Sequence, residues 1–518
     1  MTRFSALVAC GLALFQPLAL ASALLPRDGY QYYTRHNLTV QQVQSELGPL
    51  LSQNASIFGP NDTRWENATE RYQMYAVPDI KMVVRPGMED DVAIVVKYAN
   101  RNSIPFMAKN RGHALTATVG AFSGIQIDMT SLNQINYQPD MKTAWFQGGT
   151  YDDQVMVELW DRGYVATTGS CSCVGMMGPG LGGGHGRYQG LYGLISDNLV
   201  NLNVVLADGT KLRVNESTNP DLWWAMQGAG HNFGIVTSFE LKIYPANIES
   251  WYYRNYVFTQ EQLEPLFEEL NDFHDRGALP GVVGGGYVIY GMNKTVDENK
   301  AILFASFIYA GAQADAEPVF ERFDKFEYVD RQEGNVPFPQ VPDVQGSGLR
   351  DPLCAGGKTH ITTTAGLQEY NVTAQRQIYE LYNQKIAEHP ELEATRVVME
   401  GYSVEGVLKH DPKKSSFGHR DDYLTTYFDV ENPADYGLQD YALEWAKETR
   451  DLWNLGQPEP RRSQPSTYVN YALGDESLEM IYGWEPWRLQ KLRALKAKYD
   501  PLNTFRYYNP IPPATNHY

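Results

Sequence analysis

The order of apolar and polar positions divides the chain into two regions, and the first has the pattern of a mixed α+β fold. Within residues 81–245, short apolar runs typical of buried strands alternate with stripes spaced like one face of a helix. The first stripe, Val92, Val95, Val96 and Ala99, lies between two such runs and predicts a βαβ unit. Strands are predicted at residues 82–84, 104–108, 125–128, 145–147 and 198–206, and a second helix at 151–162.

The second region begins after Pro245 and has aromatic-rich strands separated by amphipathic helices. This pattern predicts an antiparallel sheet with helices on one side. The predicted strands are 251–258, 286–290, 302–309, 396–402 and 423–430, and the predicted helices include 263–273, 433–455 and 486–499. With 518 residues, the chain is long enough for two domains.

The N-terminus has the order of a secretory signal peptide. Arg3 precedes an apolar stretch over residues 4–20, and small residues follow. We expect cleavage after Ala21 or Ala23, so that residues 1–23 form the signal peptide. A membrane anchor is the alternative, but a proline interrupts the stretch, which is barely long enough to span a bilayer.

Seven N-x-Ser/Thr sequons follow, and their density predicts a glycosylated, secreted protein. They lie at Asn37, Asn54, Asn61, Asn67, Asn215, Asn293 and Asn371. After removal of the signal peptide, the chain keeps Cys171, Cys173 and Cys354. Because this number is odd, at least one cysteine is outside an internal disulfide in an oxidising compartment.

The formal net charge of -18 excludes whole classes of partner. Such a surface repels phosphate backbones and anionic lipid, and no long basic run reverses the charge locally. Nucleic acid and membrane surfaces are therefore not expected as partners.

A glycine-rich stretch at residues 169–193 contains ten glycines in 25 positions, so its backbone must turn repeatedly or approach another group closely. Residues 178–183 satisfy the GxGxxG string of Rossmann nucleotide sites. The context argues against that reading, because no buried strand immediately precedes the string and further glycines follow where a helix should open.

Five separated motifs form a more specific combination. They are RGH at 111–113, GSCSCVG at 169–175, LGGGHG at 181–186, GHNFGIVTSF at 230–239 and YVNY at 468–471. Together they resemble the berberine bridge enzyme-like branch of the vanillyl-alcohol oxidase flavoproteins, especially its fungal members. The resemblance is strongest over residues 81–245 and 468–510.

The resemblance implies an α+β fold in which a PCMH-type FAD-binding domain of two α+β subdomains carries an inserted substrate domain. The implied FAD domain spans residues 24–248, with its core at about 75–246, and returns at 461–518. The substrate domain then occupies residues 249–460 and is built on the antiparallel sheet with its flanking helices.

The resemblance also implies covalently bound FAD, with His113 bonded to the flavin 8α methyl and Cys171 bonded to ring position C6. A glycine-containing loop with a neighbouring cation can hold a pyrophosphate, and Asn110, Arg111 and Gly112 offer this. The cofactor site is further expected to include Gly175, Gly182, Gly183, Gly184 and Val236. No metal ion is predicted.

The chain departs from the family pattern at two positions. Arg111 stands where a glycine is commoner, and Ser172 replaces the usual proline after the cysteine. For Cys171, a disulfide to Cys354 or a buried free thiol remain alternatives. Cys173 is a neighbouring rival, but the spacing to Val174 and Gly175 matches the family only if Cys171 is the ligand.

Oxidation of an alcohol requires a base for the hydroxyl proton, and the resemblance assigns this role to Tyr471. Alternation along a strand would place Tyr468 and Tyr471 on opposite faces, so that only one of them faces the flavin. Glu400 is the alternative base. A phenol has a pKa of about 10 and needs a nearby cation to ionise at neutral pH. His419, Arg420 and Lys358 are the candidate cations.

These features predict a secreted FAD-dependent oxidase that removes hydride from an alcohol or activated C–H carbon of a secondary metabolite. Its partners would be the small-molecule substrate and oxygen, with hydrogen peroxide as product. Val174 occupies the position that helps to gate oxygen in the family. The alternatives are an oligosaccharide oxidase and a secreted flavin-binding protein with incidental activity.

Overall fold

The computed structural model describes residues 38–432 and 437–514. The predicted signal peptide, the Asn37 sequon and the first four residues of the helix predicted at 433–455 lie outside these ranges. None of the helices in the described ranges combines the length and apolar character that crossing a bilayer requires.

The first sheet has four strands in the order β1-β2-β4-β3 and contains the predicted βαβ unit. Its strands are β1 (Ser56–Phe58), β2 (Asp79–Arg85), β3 (Phe106–Lys109) and β4 (Ser123–Asp128), and the nearby helices are α1 (Val40–Leu47), α2 (Trp65–Thr69) and α3 (Glu89–Arg101). β4 pairs in parallel with both β2 and β3. The predicted stripe of α3 is confirmed, because Val92, Val95, Val96 and Ala99 are fully buried in the core of this sheet.

The second sheet is antiparallel, with the order β5-β6-β10-β8-β9. Its strands are β5 (Ile135–Tyr137), β6 (Thr143–Gln147), β8 (Leu199–Val205), β9 (Lys211–Val214) and β10 (Ile235–Lys242), while β7 (Tyr164–Val165) pairs with β11 (Tyr244–Pro245). Its helices are α4 (Asp152–Trp160), α5 (Met177–Leu181), α6 (Gln189–Tyr192) and α7 (Pro220–Met226). β8 and β9 form a hairpin, and Gly209 has φ +82° in its tight turn.

The third sheet has eight antiparallel strands in the order β15-β12-β14-β13-β18-β19-β16, with β17 beside β19. They are β12 (Trp251–Phe258), β13 (Val283–Met292), β14 (Ala301–Ala310), β15 (Asp330–Val336), β16 (Thr359–Thr363), β17 (Gly366–Leu367), β18 (Arg396–Gly401) and β19 (Leu424–Asn432). The helices of this region are α8 (Leu263–His274), α9 (Gln313–Phe320), α10 (Val341–Val344), α11 (Val372–Glu388), α12 (Glu405–Leu408) and α13 (Gln439–Leu455).

Sequence analysis missed β15 and β16, the two outer strands of this sheet. β15 is polar along its whole length and largely exposed, so it carries no alternating apolar signal. Helices α8, α11 and α13 share one large core with the sheet. The opposite face of β13, β18 and β19 lines the cavity described below.

The C-terminal segment returns to the second sheet and completes its core. It contains α14 (Leu478–Tyr482) and α15 (Pro486–Tyr499), and Leu489, Leu492 and Leu495 are buried together with residues of β8 and β10.

The arrangement of these sheets and helices confirms the α+β fold class and the antiparallel sheet with helices on one side. The exact domain limits at residues 248 and 460 stay a prediction.

Candidate active site

A cavity of about 420 Å³ lies where the three sheets and the C-terminal segment meet. Its walls come from β3, β10, β13, β18 and β19, from residues within 109–115 and 169–179, and from residues within 468–471 and 505–508. All five sequence motifs contribute residues to the lining of this cavity. Four of them contribute three or more residues each, whereas LGGGHG contributes only Leu181 and His185. A volume of this size is typical of a small-molecule site.

The loop after β3 places His113 in the cavity wall. Gly112 has φ +77°, a conformation that favours glycine, and a Cβ there would come within 2.9 Å of a backbone oxygen. The Asn110 amide donates hydrogen bonds to the carbonyl oxygens of Gly148 and Thr150, at 3.2 and 2.8 Å. The loop that carries His113 is thereby tied to the second sheet.

His113 is a neutral imidazole whose Nδ1 atom has no partner. Its ring stacks on that of Tyr72, with 5.2 Å between the centroids, and its Nδ1 atom is buried without a hydrogen-bond partner. Burial, together with the positive charge of Arg111, lowers the pKa of His113 to about 4. At neutral pH the ring therefore keeps a free lone pair, which a nucleophilic nitrogen requires.

Three cations line the cavity near this loop: Arg71, Lys109 and Arg111. Burial lowers the pKa of Arg71 to about 10 and that of Lys109 to about 8. Arg111 donates to the carbonyl oxygen of Cys173 at 3.3 Å. Sequence analysis named only Arg111, because Arg71 lies outside every motif and reaches the site through the fold. A concentration of positive charge next to a glycine turn suits a pyrophosphate.

The three cysteines of the described residues form one disulfide and leave one thiol free. Cys173 is bonded to Cys354, and Cys171 is free and half-buried. The alternative disulfide between Cys171 and Cys354 is therefore wrong for this structure. Cys171 lines the cavity, and burial raises the pKa of its thiol to about 12.

The predicted glycines separate into two groups. Gly175 and Val236 line the cavity, whereas Gly182, Gly183 and Gly184 do not. Added Cβ atoms on these three would collide with Asn470, Phe417 and Ile195 respectively. Their backbone is thus packed tightly against neighbouring side chains, and the structure does not bring them to the cavity surface.

Tyr468 and Tyr471 both line the cavity, and the prediction that they occupy opposite faces of a strand is wrong. Residues 468–471 form a turn, in which the Tyr471 N–H donates to the Tyr468 carbonyl oxygen at 2.9 Å. The two rings meet edge to face with their centroids 5.0 Å apart. A turn brings residues i and i+3 together, which a strand would separate.

Glu400 of β18 lies against Tyr471, so the two candidate bases form one pair. The Tyr471 hydroxyl donates to the carboxylate oxygens of Glu400 at 3.3 and 3.4 Å. Burial raises the pKa of Glu400 to about 7, against the opposing effect of hydrogen bonds from Tyr471 and Tyr402. Burial and the charge of Glu400 hold the pKa of Tyr471 well above its usual value. Tyr471 is therefore a hydrogen-bond donor at neutral pH, and Glu400 titrates near neutrality.

Tyr468 is engaged differently. Its hydroxyl oxygen accepts hydrogen bonds from the Asn470 amide at 2.7 Å and from the His185 N–H at 3.3 Å. Burial raises the pKa of Tyr468 to about 12. This tyrosine is consequently a fixed part of the wall beside the Glu400–Tyr471 pair.

None of the three cations proposed to stabilise a phenolate lines the cavity. Lys358 is paired with Glu431, and Arg420 with Asp197 at 2.6 Å. His419 is bonded through Nε2 to the carbonyl oxygen of Ile481 at 3.0 Å. That prediction is wrong because each of these groups is neutralised or satisfied within its own region.

One face of the third sheet forms the wall opposite the motifs. Its register pairs Tyr287 with Glu400 and Val398 with Tyr427, so every second residue points to the same side. The cavity residues of this face are Tyr287, Ile289, Arg396, Val398, Glu400, Tyr427 and Asp429. Sequence analysis found only Glu400 among them, although alternation along β18 and β19 was available as a signal.

Among the described residues, five buried polar atoms on cavity-lining residues have no hydrogen-bond partner: Asn110 Oδ1, His113 Nδ1, Asp152 Oδ2, His231 Nδ1 and Asn470 Oδ1. Leaving such a group unsatisfied costs about 1–3 kcal/mol, so the set indicates a polar ligand. FAD, predicted from the motifs, fits this wall because it brings donors, acceptors and a pyrophosphate to a site that offers unpartnered polar atoms and three cations.

Comparisons with known proteins identify the family of the chain. The model of the FAD binding domain family matches residues 80–215, and that of the berberine and berberine-like family matches residues 467–512. The FAD-linked oxidoreductase anuG of Penicillium roqueforti is 53% identical over 511 residues, which cover 99% of this chain and 100% of that protein.

Solved structures share the fold at low sequence identity. Chitooligosaccharide oxidase superposes with a TM-score of 0.78 at 20% identity, covering 91% of this chain and 100% of its own. Glucooligosaccharide oxidase from Acremonium strictum, which has a 6-S-cysteinyl, 8α-N1-histidyl FAD, has a TM-score of 0.76 at 20% identity, covering 91% of this chain and 99% of its own. With the two family matches and the relative of near-complete coverage, the chain belongs to the berberine bridge enzyme-like family of FAD-linked oxidoreductases.

Proposed function

We propose that the protein is a secreted oxidase that removes hydride from an alcohol or activated C–H carbon of a small secondary metabolite, with oxygen as the final acceptor and hydrogen peroxide as product. The FAD is attached through His113 and, as a second link, through Cys171. The observation that carries this proposal is the placement of the Glu400–Tyr471 pair in the same cavity as His113, whose Nδ1 atom has no partner.

The proposed attachment rests on two side chains that face the cavity and are not bonded elsewhere through the atom that would be linked. His113 is neutral at pH 7 and has a free Nδ1, and Cys171 is the cysteine outside the disulfide among the described residues. Glucooligosaccharide oxidase, which shares the fold, carries both kinds of link. Arg71, Lys109 and Arg111 would hold the pyrophosphate, and Asn110 would keep the attachment loop in place.

FAD, when bound, accepts the hydride that leaves the substrate carbon. The chain itself must take the hydroxyl proton, and Glu400 is the group whose pKa allows this at neutral pH. Tyr471 donates its hydroxyl hydrogen bond to Glu400 and can relay the proton when the substrate oxygen lies against the phenol. None of the three proposed cations lines the cavity to stabilise a phenolate of Tyr471. In the proposed mechanism, Glu400 is therefore the base and Tyr471 passes the proton to it.

The substrate wall is mainly aromatic and aliphatic, with Tyr287, Ile289, Val398 and Tyr427 along the sheet. Such a surface favours a ring-containing metabolite of small to medium size over a heavily hydroxylated sugar. Val174 also lines the cavity, which supports a role of this small side chain in access to the reduced cofactor.

Secretion is supported by two further observations. Asn54, Asn61, Asn67 and Asn371 are exposed, as N-glycosylation requires. The Cys173–Cys354 disulfide is of a kind that persists in oxidising compartments. The signal peptide predicted at residues 1–23 completes this part of the proposal.

A panel of alcohols, aromatic metabolites and oligosaccharides tests the proposed function. Under argon, a substrate bleaches the flavin absorbance, and readmission of air restores it with release of peroxide. Bleaching by aromatic alcohols but not by oligosaccharides supports the proposal, whereas the reverse result assigns the protein to the oligosaccharide oxidases. If no compound of the panel bleaches the flavin, the enzymatic proposal fails.

The rate of flavin reduction should depend on the ionisation of Glu400. The carboxylate is the base form, so below pH 7 the rate should rise about tenfold per pH unit and should level off above a midpoint at about 7. Tyr471, Tyr402, Tyr287 and Arg187 surround this carboxyl. Burial raises the pKa of each of the three tyrosines further above 10, so Glu400 rather than a phenol titrates near 7. Stopped-flow reduction under argon from pH 5 to 9 measures the profile. A profile that is flat across pH 7 would remove Glu400 as the base.

Gly175→Ala should lower the amount of bound flavin. An added Cβ comes within 2.5 Å of Asn110 Nδ2, the atom that holds the attachment loop to the second sheet. We expect a lower flavin-to-protein ratio in the purified variant and a loss of stability of about 1–3 kcal/mol. Gly291→Ala is the matched control, because a Cβ there meets no atom within 4 Å. Equal flavin content in both variants would contradict this role of the Asn110 contact.

A further inference from the structure

Three sulfur atoms lie together at the edge of the cavity. Cys171 Sγ is 3.5 Å from Cys173 Sγ and 3.7 Å from Cys354 Sγ, while Cys173 and Cys354 share the disulfide. The sulfur atoms of Cys171 and Cys354 are therefore at about van der Waals contact. The disulfide seen in the structure is one of two pairings open to Cys354.

We propose that Cys173 is a positioning residue that occupies Cys354 and so keeps the thiol of Cys171 free for attachment to the cofactor. Its consequence for attachment rests on the function proposed above, whereas the choice of disulfide partner does not. Cys171 and Cys173 are two positions apart in the chain, and both lie close enough to Cys354 to pair with it.

The two pairings interconvert by thiol–disulfide exchange without net oxidation. The thiolate of Cys171 attacks Cys354 Sγ, the Cys171–Cys354 bond forms and the Cys173–Cys354 bond breaks. Cys173 leaves as a thiolate and takes up the proton that Cys171 lost. The product has Cys171 blocked and Cys173 free, with its sulfur beside His113, whose Nε2 is 3.4 Å from Cys173 Sγ.

The folded structure opposes this exchange once the Cys173–Cys354 pair has formed. The thiolate is the attacking species, and burial raises the pKa of Cys171 to about 12, so little thiolate exists at neutral pH. The loop is also held in place, because the Ser172 N–H donates to the Ser347 carbonyl oxygen at 3.0 Å and Arg111 donates to the Cys173 carbonyl oxygen. The partner of Cys354 is thus chosen during folding and then kept.

Cys173→Ser tests the proposal in the full-length protein secreted from a eukaryotic host. Cys354 then has Cys171 as its available partner, and the two thiols lose two electrons and two protons to the same disulfide oxidant that forms the wild-type bond. We expect peptide mapping without reduction to show a Cys171–Cys354 cross-link and no flavin on the peptide that contains residue 171. The wild type should show Cys173–Cys354.

The double variant Cys173→Ser/Cys354→Ser distinguishes partner choice from a general structural role. Removal of Cys354 frees Cys171 again, so the flavin should return to the peptide that contains residue 171 even though the native disulfide is absent. Failure of this rescue in a folded double variant would overturn the proposal, and so would a free Cys171 thiol in the single variant. If the wild type carries no flavin at Cys171, the proposed second link fails, but the cross-links of the wild type and the single variant still decide the partner choice.

Discussion

The His113→Ala/Cys171→Ala double variant is expected to lose all of its flavin to the supernatant on acid precipitation, leaving a colourless pellet. In the native structure the imidazole is neutral, its Nδ1 is unpartnered and the cavity lies directly in front of it. Cys171 is the free thiol in the same wall. With both nucleophiles removed, only non-covalent contacts hold the cofactor, and acid unfolding abolishes those.

His231→Ala is the matched control for this experiment. His231 also lines the cavity, burial lowers its pKa to about 4, and its Nδ1 has no hydrogen-bond partner. It belongs to a different motif, and it stacks on Tyr508, with the centroids 4.0 Å apart. Its pellet should stay yellow. A yellow pellet from the double variant would assign the covalent link to another residue, and intact mass of the single variants then measures each link separately.

Tyr471→Phe should slow flavin reduction by roughly two to four orders of magnitude, the range typical of a lost general acid–base group. The substitution removes the hydroxyl that donates to Glu400 and leaves the ring that packs against Tyr468 and Tyr427. Glu400→Gln should have an effect of similar size and should also remove the pH dependence near 7. Single-turnover reduction under argon measures both variants.

The pair can be tested as a unit. If Tyr471 and Glu400 move one proton together, the double variant should be scarcely slower than either single variant, because the second substitution removes nothing that still works. Tyr468→Phe is the control, because the Tyr468 hydroxyl accepts its hydrogen bonds from Asn470 and His185 rather than pairing with Glu400. A rate near wild type for Tyr471→Phe would transfer the role to Glu400 alone or to Tyr468.

Local patterns along the chain predicted most of the regular structure. The stripe Val92, Val95, Val96 and Ala99 faces the core of the first sheet, and the strand predicted at 251–258 is Trp251–Phe258. The helix predicted at 486–499 is Pro486–Tyr499. These predictions succeeded because burial of one face of a helix or strand makes apolar residues recur every 3.6 or 2 positions. This spacing can be read from residues close together in the sequence. β15 lacks such a face and was missed.

The site could be predicted only where a motif carries its own chemistry. The RGH motif supplied Arg111, Gly112 and His113, and the adjacent Asn110 was also predicted. All four residues line the cavity. Arg71, Tyr287 and Tyr427 also line it, but they come from distant segments and no motif contains them. Residues 468–471 were read as a strand with its two tyrosines on opposite faces, because the N–H to carbonyl bond that closes the turn is not visible in the sequence.

The sequence by itself determined the local elements, the order of the motifs and the odd number of cysteines. The tertiary structure decided which cysteine pairs with Cys354, that Glu400 meets Tyr471, and that the three candidate cations are engaged elsewhere. The physical reason is range: helix and strand periodicities arise between residues a few positions apart. Disulfide choice and pKa, in contrast, depend on distances and burial between side chains that folding brings together from far along the chain.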